Sequence, residues 1–234
     1  MLEDFTGIIN WENVFKNSEN FKNNPHFKFG FIEDFFVKDF YEKLYQTYPK
    51  IDETWIDGSD HSKSQLAKFW GNFGPKDVVE EGNDPSQSEE WNKFKRYSMT
   101  DEFINNFRKF SGVEVTKLKH FKFMSYRKGG FQLPHIHDVG PSTLVMMLYF
   151  SKDWPQGDPG GTYMSTDLDE STIVFEPYDL DNSLALFQDG PKAAHGVRYI
   201  TKDVVRQALQ ITLEGYSKET GWTGDPKELN LTEA

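Results

Sequence analysis

The sequence contains no cysteine among its 234 residues. A disulfide framework and a thiolate metal site are therefore excluded, and the absence fits a reducing compartment. Net positive charge is also lacking, because the formal charge at pH 7 is -11. This balance argues against a general nucleic-acid binder or an anionic-membrane binder, although an acidic surface can still surround a locally basic pocket.

Long hydrophobic runs are missing as well. No run approaches the roughly 20 apolar residues that a membrane-spanning helix needs. The first residues, Met-Leu-Glu-Asp-Phe, show no basic segment followed by an apolar one, as a secretory signal would. We therefore expect a soluble, cytoplasmic protein. Hydrophobic residues at 37% and aromatic residues at 16% are sufficient for a packed core, and the length favours one domain over two.

The first half of the chain has the features of helices and long loops. Residues 36–48 carry an apolar residue at every fourth position and predict an amphipathic helix that stops at the next residue, a proline. Residues 100–110 predict a second helix, capped by Thr100 and ended by Gly112. Residues 50–95 between them are polar and indicate long loops with short helical pieces, which makes them a candidate lid over a site.

From residue 113 onward the pattern changes to strands. Alternating or continuous apolar runs between Gly, Pro and Asp turns give about eight strands in roughly 100 residues, counting one that carries His135. The other runs are 117–126, 144–150, 162–165, 173–176, 183–187, 195–200 and 205–213. This predicts an α+β protein with a double-stranded β-helix core of jelly-roll, cupin-like form and N-terminal helices packed on it.

We expect residues 1–234 to form a single domain. Its predicted parts are a helical, loop-rich half at 1–116, the β-helix core at 117–216 and a polar tail at 217–234.

Three histidines form a candidate metal site. His135 and His137 are two positions apart, so both point to one face if they lie on one strand. His195 lies 60 positions after His135 (195 − 135), on a different predicted strand. Ligands from two distant strands can build a three-point site at a barrel mouth and leave other metal positions open. Imidazole binds several transition metals, so these residues alone do not choose the metal, and a His-x-His pair by itself is usually an ordinary surface feature.

Arg206 is a candidate anchor for an anion. It follows His195 by eleven residues and begins an alternating strand. A guanidinium at the inner end of such a strand can grip a carboxylate with two hydrogen bonds. Tyr126 and Tyr149 could add hydroxyl donors to the same anion. Taken alone, the arginine fits an exposed charge at a sheet edge equally well.

Read in order, these residues resemble the iron(II)/2-oxoglutarate-dependent dioxygenases. The closest likeness is to the prolyl 4-hydroxylase-like branch, which includes the oxygen-sensing prolyl hydroxylases. Each motif is weak alone, but six in the same order at compatible spacing, over about residues 117–216, form a specific pattern. The motifs are Tyr126-Arg-Lys-Gly129, His135-Ile-His137, Tyr149-Phe-Ser-Lys-Asp153-Trp154, Gly160-Gly161, His195-Gly-Val197 and Arg206.

The resemblance implies a hydroxylase-type enzyme that uses Fe(II), 2-oxoglutarate and dioxygen to oxidise a C–H bond. It also implies that His135 and His195 bind the iron and that Arg206, Tyr149 and Tyr126 hold the distal carboxylate of 2-oxoglutarate. A small molecule, an amino acid and a prolyl peptide are all open as substrates. Nucleic acid and membrane partners are not expected, and the oligomeric state is left open.

The sequence departs from the family at the carboxylate expected two residues after the first histidine, where His137 stands. Three arrangements are open. His137 can be the third ligand of a neutral three-histidine site. A local bulge can turn Asp138 inward and restore the carboxylate. Alternatively, His137 can be the first ligand, with Val139 at the carboxylate position and a coordination site left free, as in the family's halogenases.

Two rival functions fit the same residues. A cupin-type dioxygenase or isomerase would use a three-histidine metal without a keto acid. A jelly-roll binding or structural module would have no catalysis. Arg206 separates the oxygenase from the first rival, because only the oxygenase needs a keto-acid anchor.

Overall fold

The computed structural model describes residues 3–72, 82–137 and 139–215. Within these ranges the chain forms five α-helices, two short 3-10 helices (Trp70–Asn72 and Glu170–Thr172) and twelve strands. The helices are α1 (Trp11–Lys16), α2 (Ser18–Lys22), α3 (Lys38–Gln46), α4 (Glu89–Ser98) and α5 (Asp101–Ser111). The strands are β1 (Phe29–Ile32), β2 (Ile56–Asp57), β3 (Lys63–Ser64), β4 (Leu66–Phe69), β5 (Lys117–Tyr126), β6 (Phe131–His135), β7 (Thr143–Phe150), β8 (Tyr163–Ser165), β9 (Ile173–Phe175), β10 (Asp181–Gln188), β11 (Ala194–Val197) and β12 (Arg206–Glu214).

The strands form two antiparallel sheets with a shared core between them. The larger sheet has the order β1-β10-β7-β12-β5-β4-β2, and the smaller has the order β3-β6-β11-β8-β9. Eight of these strands, β5 to β12, lie after residue 116, as the sequence predicts. A hydrophobic cluster contains residues of both sheets, which is the two-layer arrangement of a jelly roll.

Strand β7 separates two hydrophobic cores. All eight of its residues are buried, as predicted for a continuous apolar run covered on both faces. Leu148 and Phe150 face the first core, which the helices share. Val145, Met147 and Tyr149 face the second core, between the sheets. The strand therefore places one tyrosine of the candidate anion site inside the barrel.

The alternation of side chains in β5 and β12 likewise directs some residues to the helical core and others to the interior of the barrel. Phe123 of β5 and Leu209 of β12 face the helical core, while Tyr126 and Ala208 face the interior of the barrel. Arg206 lies directly opposite Tyr126 in the register of the two strands. The period of two therefore sets which side chains of these strands can reach the site.

The two predicted helices are present with the expected ends. In α5, the side chain of Thr100 accepts a hydrogen bond from the backbone N–H of Phe103 at 3.2 Å. Gly112 ends this helix in the left-handed conformation, with φ of 62°, which glycine adopts without steric cost. Helix α3 is shorter than the predicted 36–48 and buries Tyr41 and Leu44.

Residues 50–95 contain more regular structure than the sequence predicts. Strand β4 extends the larger sheet beside β5, and β3 pairs with β6 of the smaller sheet. Helix α4 begins after Ser88, whose side chain accepts from the N–H of Trp91 at 3.3 Å. The prediction of loops with short helical pieces is therefore wrong for these elements. Strands of two to four residues are too short to show alternation, whereas the spacing of Ser88, Trp91 and Phe94 was a usable helix signal.

None of the helices in the described ranges is long and apolar enough to cross a membrane.

Candidate metal centre

Three histidine side chains converge at one place in the smaller sheet. His135 ends β6 and is the register partner of His195 in β11. His137 lies two residues beyond the end of β6. One possible ligand atom of each histidine lies within 4.8 Å of those of the other two. With metal–nitrogen bonds of about 2.0–2.1 Å, adjacent ligands of one ion lie about 3.0–3.4 Å apart, so the rings would move closer together to share one ion.

The expectation that His135 and His137 share one strand is wrong in detail. The strand ends at His135, so His137 is in irregular backbone. Its ring nevertheless lies 4.9 Å from that of His135 and 5.0 Å from that of His195, measured between centroids. A contact from outside the strand, rather than the pleat alone, therefore holds this side chain in the cluster.

The hydrogen bonds at the three Nδ1 atoms indicate which ring nitrogen of each histidine carries the proton and which can bind a metal. When Nδ1 carries the proton and donates it, Nε2 keeps the lone pair that a metal needs. Each Nδ1 has an oxygen acceptor within hydrogen-bond distance. The acceptors are the Leu133 carbonyl for His135 at 3.1 Å, the Ala193 carbonyl for His195 at 2.8 Å and Asp189 Oδ2 for His137 at 2.6 Å.

Burial keeps the inner histidines neutral. The pKa of His195 is lowered well below its ordinary value, first by burial and then by the neighbouring His135. The pKa of His135 is lowered as well, chiefly by burial. Neutral imidazole is the form that binds a metal ion, so both rings are in the ligating form at neutral pH.

Asp189 is the residue of this site that the sequence did not reveal. Its side chain is 3% exposed, whereas that of its partner His137 is 41% exposed. The second carboxylate oxygen, Oδ1, accepts a hydrogen bond from the N–H of Gly190 at 2.9 Å. The chain thus places a buried carboxylate beside His137. In the family's pattern a carboxylate binds the metal directly, whereas here the imidazole of His137 would lie between the carboxylate and the metal. No local pattern links two residues 52 positions apart, so sequence reasoning had no signal for this pair.

Arg206 is completely buried inside the barrel, not exposed at a sheet edge. Its Nε donates to the carbonyl of Gly160 at 3.1 Å, and its Nη2 donates to the hydroxyl of Thr162 at 3.1 Å. Its Nη1 is buried and has no hydrogen-bond partner among the described residues. An unpaired donor on a buried cation costs free energy, and an anion from outside the chain would remove this cost.

Two tyrosine rings enclose the guanidinium. The Cζ atom of Arg206 lies 4.9 Å from the ring centroids of both Tyr126 and Tyr149. The hydroxyl of Tyr149 accepts from the N–H of Thr162 at 2.8 Å, and that of Tyr126 donates to Gln65 at 2.7 Å. Both predicted tyrosines therefore contact the arginine. The hydroxyl of Tyr126 donates within the protein, whereas that of Tyr149 only accepts there, so the O–H of Tyr149 can still donate to an anion as predicted.

At two glycines of the sequence motifs, another side chain approaches the backbone so closely that a Cβ atom would not fit. A Cβ atom on Gly160 would lie 2.2 Å from the ring of Trp154, so only glycine can deliver its carbonyl to Arg206 here. A Cβ atom on Gly196 would lie 2.4 Å from the hydroxyl of Tyr163. This glycine follows His195 directly. Its small size lets β11 pack closely against Tyr163 beside the histidine of the candidate metal site.

A cavity of about 170 Å³ connects the histidines with the region of the arginine. Tyr126 and Thr162 line it and contact Arg206, so the guanidinium lies immediately behind the wall. No acidic side chain of the described residues lines this cavity. The polar and charged lining consists of Lys63, Gln65, Lys122, Tyr126, Gln132, His135, His137, Thr162, His195 and Gln210.

Asp138, the alternative carboxylate ligand, lies outside the described residues. The arrangement in which His137 is the first ligand and Val139 takes the carboxylate position is less favoured, because His135 belongs to the cluster. The neutral three-histidine arrangement agrees best with the described side chains.

The fold is shared with solved structures of 2-oxoglutarate oxygenases. A prolyl-4-hydroxylase from Pseudomonas putida is 14% identical, with a TM-score of 0.59 over 87% of this chain and 97% of that one. A prolyl hydroxylase from Trichoplax adhaerens, in complex with a peptide fragment of the hypoxia inducible factor oxygen degradation domain, is 15% identical, with a TM-score of 0.58 over 87% and 88%. HygX from Streptomyces hygroscopicus, with nickel and 2-oxoglutarate bound, is 12% identical, with a TM-score of 0.53 over 86% and 85%.

No family model and no curated protein sequence matches the chain. At 15% identity or less, the likeness to the three solved structures establishes the fold. The predicted double-stranded β-helix with associated helices is confirmed, and so is the resemblance of fold to the 2-oxoglutarate oxygenases. Function must be argued from the side chains of this chain.

Proposed function

We propose that this protein is a non-haem Fe(II)- and 2-oxoglutarate-dependent oxygenase of the hydroxylase type. The observation that carries the proposal is the pairing of two features in one barrel. One is the cluster of three histidine nitrogens, and the other is the buried Arg206 with an unpaired Nη1. The first is a ligand set for a transition metal, and the second is a site for an anion.

The residues present fit both groups. His135, His137 and His195 would hold the metal through Nε2, because each Nδ1 contacts an oxygen. The amide nitrogen of Gln132, 3.3 Å from Nε2 of His135, would give way to the ion. Arg206 would hold a carboxylate of 2-oxoglutarate. When bound, iron and 2-oxoglutarate supply the oxidation of a substrate C–H bond by dioxygen, with release of succinate and carbon dioxide.

The protein's own contribution is binding, orientation and exclusion of water. Tyr126 and Tyr149 shield the guanidinium on both sides, which strengthens its attraction for an anion. Of the segment predicted as a lid, Lys63 and Gln65 line the cavity.

Asp189 would compensate for the missing carboxylate ligand. A histidine in place of that ligand leaves the metal centre one unit more positive. The carboxylate hydrogen-bonded to His137 returns a negative charge to the surroundings of the metal and fixes the tautomer of the ring. We therefore assign Asp189 a positioning role.

One rival function has an observation in its favour. A three-histidine metal site without a keto acid is the ligand set of a cupin-type dioxygenase, and the cluster agrees with it. That rival gives no reason for burying Arg206 with an unpaired nitrogen. A non-catalytic module that binds an anion could use the arginine, but it gives no reason for the three converging histidines. The oxygenase accounts for both features.

The substrate class, partners and compartment are part of the proposal. A small molecule, an amino acid or a prolyl residue of a peptide would enter the cavity, and no nucleic acid or membrane is involved. The cysteine-free sequence supports a reducing, cytoplasmic compartment.

Calorimetry of 2-oxoglutarate binding to Mn(II)-loaded protein under anaerobic conditions tests the proposal. We expect metal-dependent, saturable binding by the wild type. Absence of binding to a sample shown to contain metal would overturn the cosubstrate assignment and favour the cupin-type rival.

A further inference from the structure

Lys122 is a cation inside the cavity that neither the metal nor the keto acid uses. It lies in β5 four residues before Tyr126 and lines the same cavity as the three histidines. Its register partners are Phe69 in β4 and Gln210 in β12, neither of which carries a charge. The ammonium lies 5.9 Å from the centroid of the Phe69 ring, which offers only a weak attraction.

No carboxylate in the described part of the chain forms an ion pair with Lys122. Among the described residues, no acidic side chain lines the cavity. Burial and, to a smaller extent, the nearby Lys63 together lower the pKa of Lys122 to about 8. Lys63 lines the cavity too, and its nearest carboxylate is that of Asp60 at 3.9 Å, a distant and half-exposed pair. Two ammonium groups therefore face one cavity in a chain whose formal charge is -11.

The register separates this second cationic region from the keto-acid anchor. Arg206 is paired with Tyr126, and Gln210 with Lys122, so the backbones of the two cations are four residues apart along the strands. At about 3.3 Å per residue this is roughly 13 Å, longer than a five-carbon acid. The two side chains also have different neighbours, because the guanidinium lies between Tyr126 and Tyr149 while the ammonium lies beside Phe69.

The charges of a filled site lead to the same conclusion. Three neutral histidines leave a divalent metal with both of its charges, and Arg206 and Lys122 add one each. Asp189 and a doubly charged keto acid remove three, so the described side chains leave the region positive even before Lys63 is counted. A further anion would be attracted to it.

We propose that Lys122, assisted by Lys63 and Gln210, binds an anionic group of the substrate, a carboxylate or a phosphate on a small molecule. This inference rests on the proposed function for the identity of the site, and it adds the chemical class of the substrate. The cavity of about 170 Å³ is small beside ligand pockets of about 300–1,000 Å³, so it admits a compact group rather than a large one.

Two methionines of the cavity wall, Met124 and Met147, provide a direct binding readout. Protein labelled with ¹³C at the methionine methyl groups is loaded with Zn(II) and saturated with 2-oxoglutarate, so that the position at Arg206 is filled. Acetate, inorganic phosphate and the uncharged acetamide are then titrated, and the two methyl resonances are followed. The variants are Lys122→Gln and, as a matched control, Lys128→Gln, because Lys128 is exposed and outside this cavity.

We expect acetate or phosphate to shift both resonances with an affinity at least about tenfold above that of acetamide, since a charge-assisted hydrogen bond distinguishes them. Lys122→Gln should remove this preference, and Lys128→Gln should keep it. Equal binding of acetate and acetamide, no binding of either anion, or an unchanged preference in Lys122→Gln would overturn the proposal. The acetate and phosphate arms decide which anion is preferred.

Failure of this inference is distinguishable from failure of the proposed function. The affinity for 2-oxoglutarate is measured on the same samples. If Lys122→Gln binds 2-oxoglutarate as the wild type does but the anion preference persists, only the substrate inference fails. If Lys122→Gln instead abolishes 2-oxoglutarate binding, Lys122 is the keto-acid anchor and the substrate inference is overturned. If the metal-loaded wild type binds no 2-oxoglutarate, the proposed function fails, and the anion titration still tests Lys122.

Discussion

The Oδ2 atom of Asp189 lies 2.6 Å from Nδ1 of His137. This contact joins a buried carboxylate to the histidine that stands where the family's pattern has a metal-binding carboxylate. A carboxylate is thus held beside the candidate metal position. It also explains why a side chain beyond the end of β6 belongs to the histidine cluster.

Asp189→Asn should weaken metal binding by about 10–100-fold, the usual effect of losing a carboxylate behind a ligating histidine. The amide keeps the size of the side chain but removes the charge and the preference for one tautomer of His137. Competition between the protein and a metal chelator measures the change with Zn(II). Asp203→Asn, an exposed aspartate, is the control and should bind as the wild type does. An unchanged affinity in Asp189→Asn would show that the carboxylate has no part in the metal site.

His137→Asp should not restore a good metal site by itself. The new carboxylate would lie near that of Asp189, and two like charges at close range destabilise each other. The double variant His137→Asp/Asp189→Asn removes this repulsion and should bind metal more tightly than His137→Asp. A double-mutant cycle on metal affinity should give a coupling of about 1 kcal/mol or more, within the range for residues in contact. Additive effects would contradict direct coupling of the two positions.

Arg206→Gln should lower the affinity for 2-oxoglutarate by at least about 30-fold, because loss of one partner of a buried charged pair costs about 2 kcal/mol or more. Metal affinity should change little, since no histidine of the cluster contacts Arg206 in the described structure. Calorimetry with Mn(II)-loaded protein measures both quantities, and a thermal melt verifies folding. Arg127→Gln, at an exposed position, is the matched control. Wild-type affinity for 2-oxoglutarate in Arg206→Gln would remove the arginine from the cosubstrate site.

Lys122→Met should stabilise the ligand-free protein at pH 7. The pKa of this lysine is lowered to about 8 by burial, so the folded state disfavours the charged form that the unfolded chain keeps. The unfolded chain therefore binds more protons between about pH 8 and about pH 10.4, and the cost of the buried charge is fully present below that window. The cost is on the order of 3 kcal/mol as an upper bound. Urea unfolding at pH 7 and at pH 10 should show a gain in the variant that is larger at pH 7. A loss of stability at pH 7 would show that the ammonium is compensated.

Sequence patterns predicted the barrel well because they are local. The apolar run of β7 indicated burial on both faces, as observed. The alternation of β12 left Arg206 either as an inward anchor or as an exposed charge, and the structure shows the buried position. The cap at Thr100 and the stop at Gly112 fixed a helix in the same way. Each depends on residues a few positions apart, so a single sequence contains the information.

The parts that sequence did not predict depend on distant contacts. Strand β4 has four residues and exists because β5 offers it a partner, not because of its own pattern. The pairing of His137 with Asp189 brings together residues 52 positions apart. The cationic cavity around Lys122 and Lys63 likewise appears only when β3 and β5 face the same space. Short-range patterns cannot encode such encounters, so the candidate ligands could be named from sequence but their support could not.

The most direct test is a crystal of the protein grown anaerobically with Mn(II) and 2-oxoglutarate, with anomalous scattering measured near the metal edge. The account predicts one anomalous peak within bonding distance of Nε2 of His135, His137 and His195, and a carboxylate of 2-oxoglutarate at Nη1 of Arg206. A metal peak away from any of these histidines, or 2-oxoglutarate bound without contact to Arg206, would contradict it.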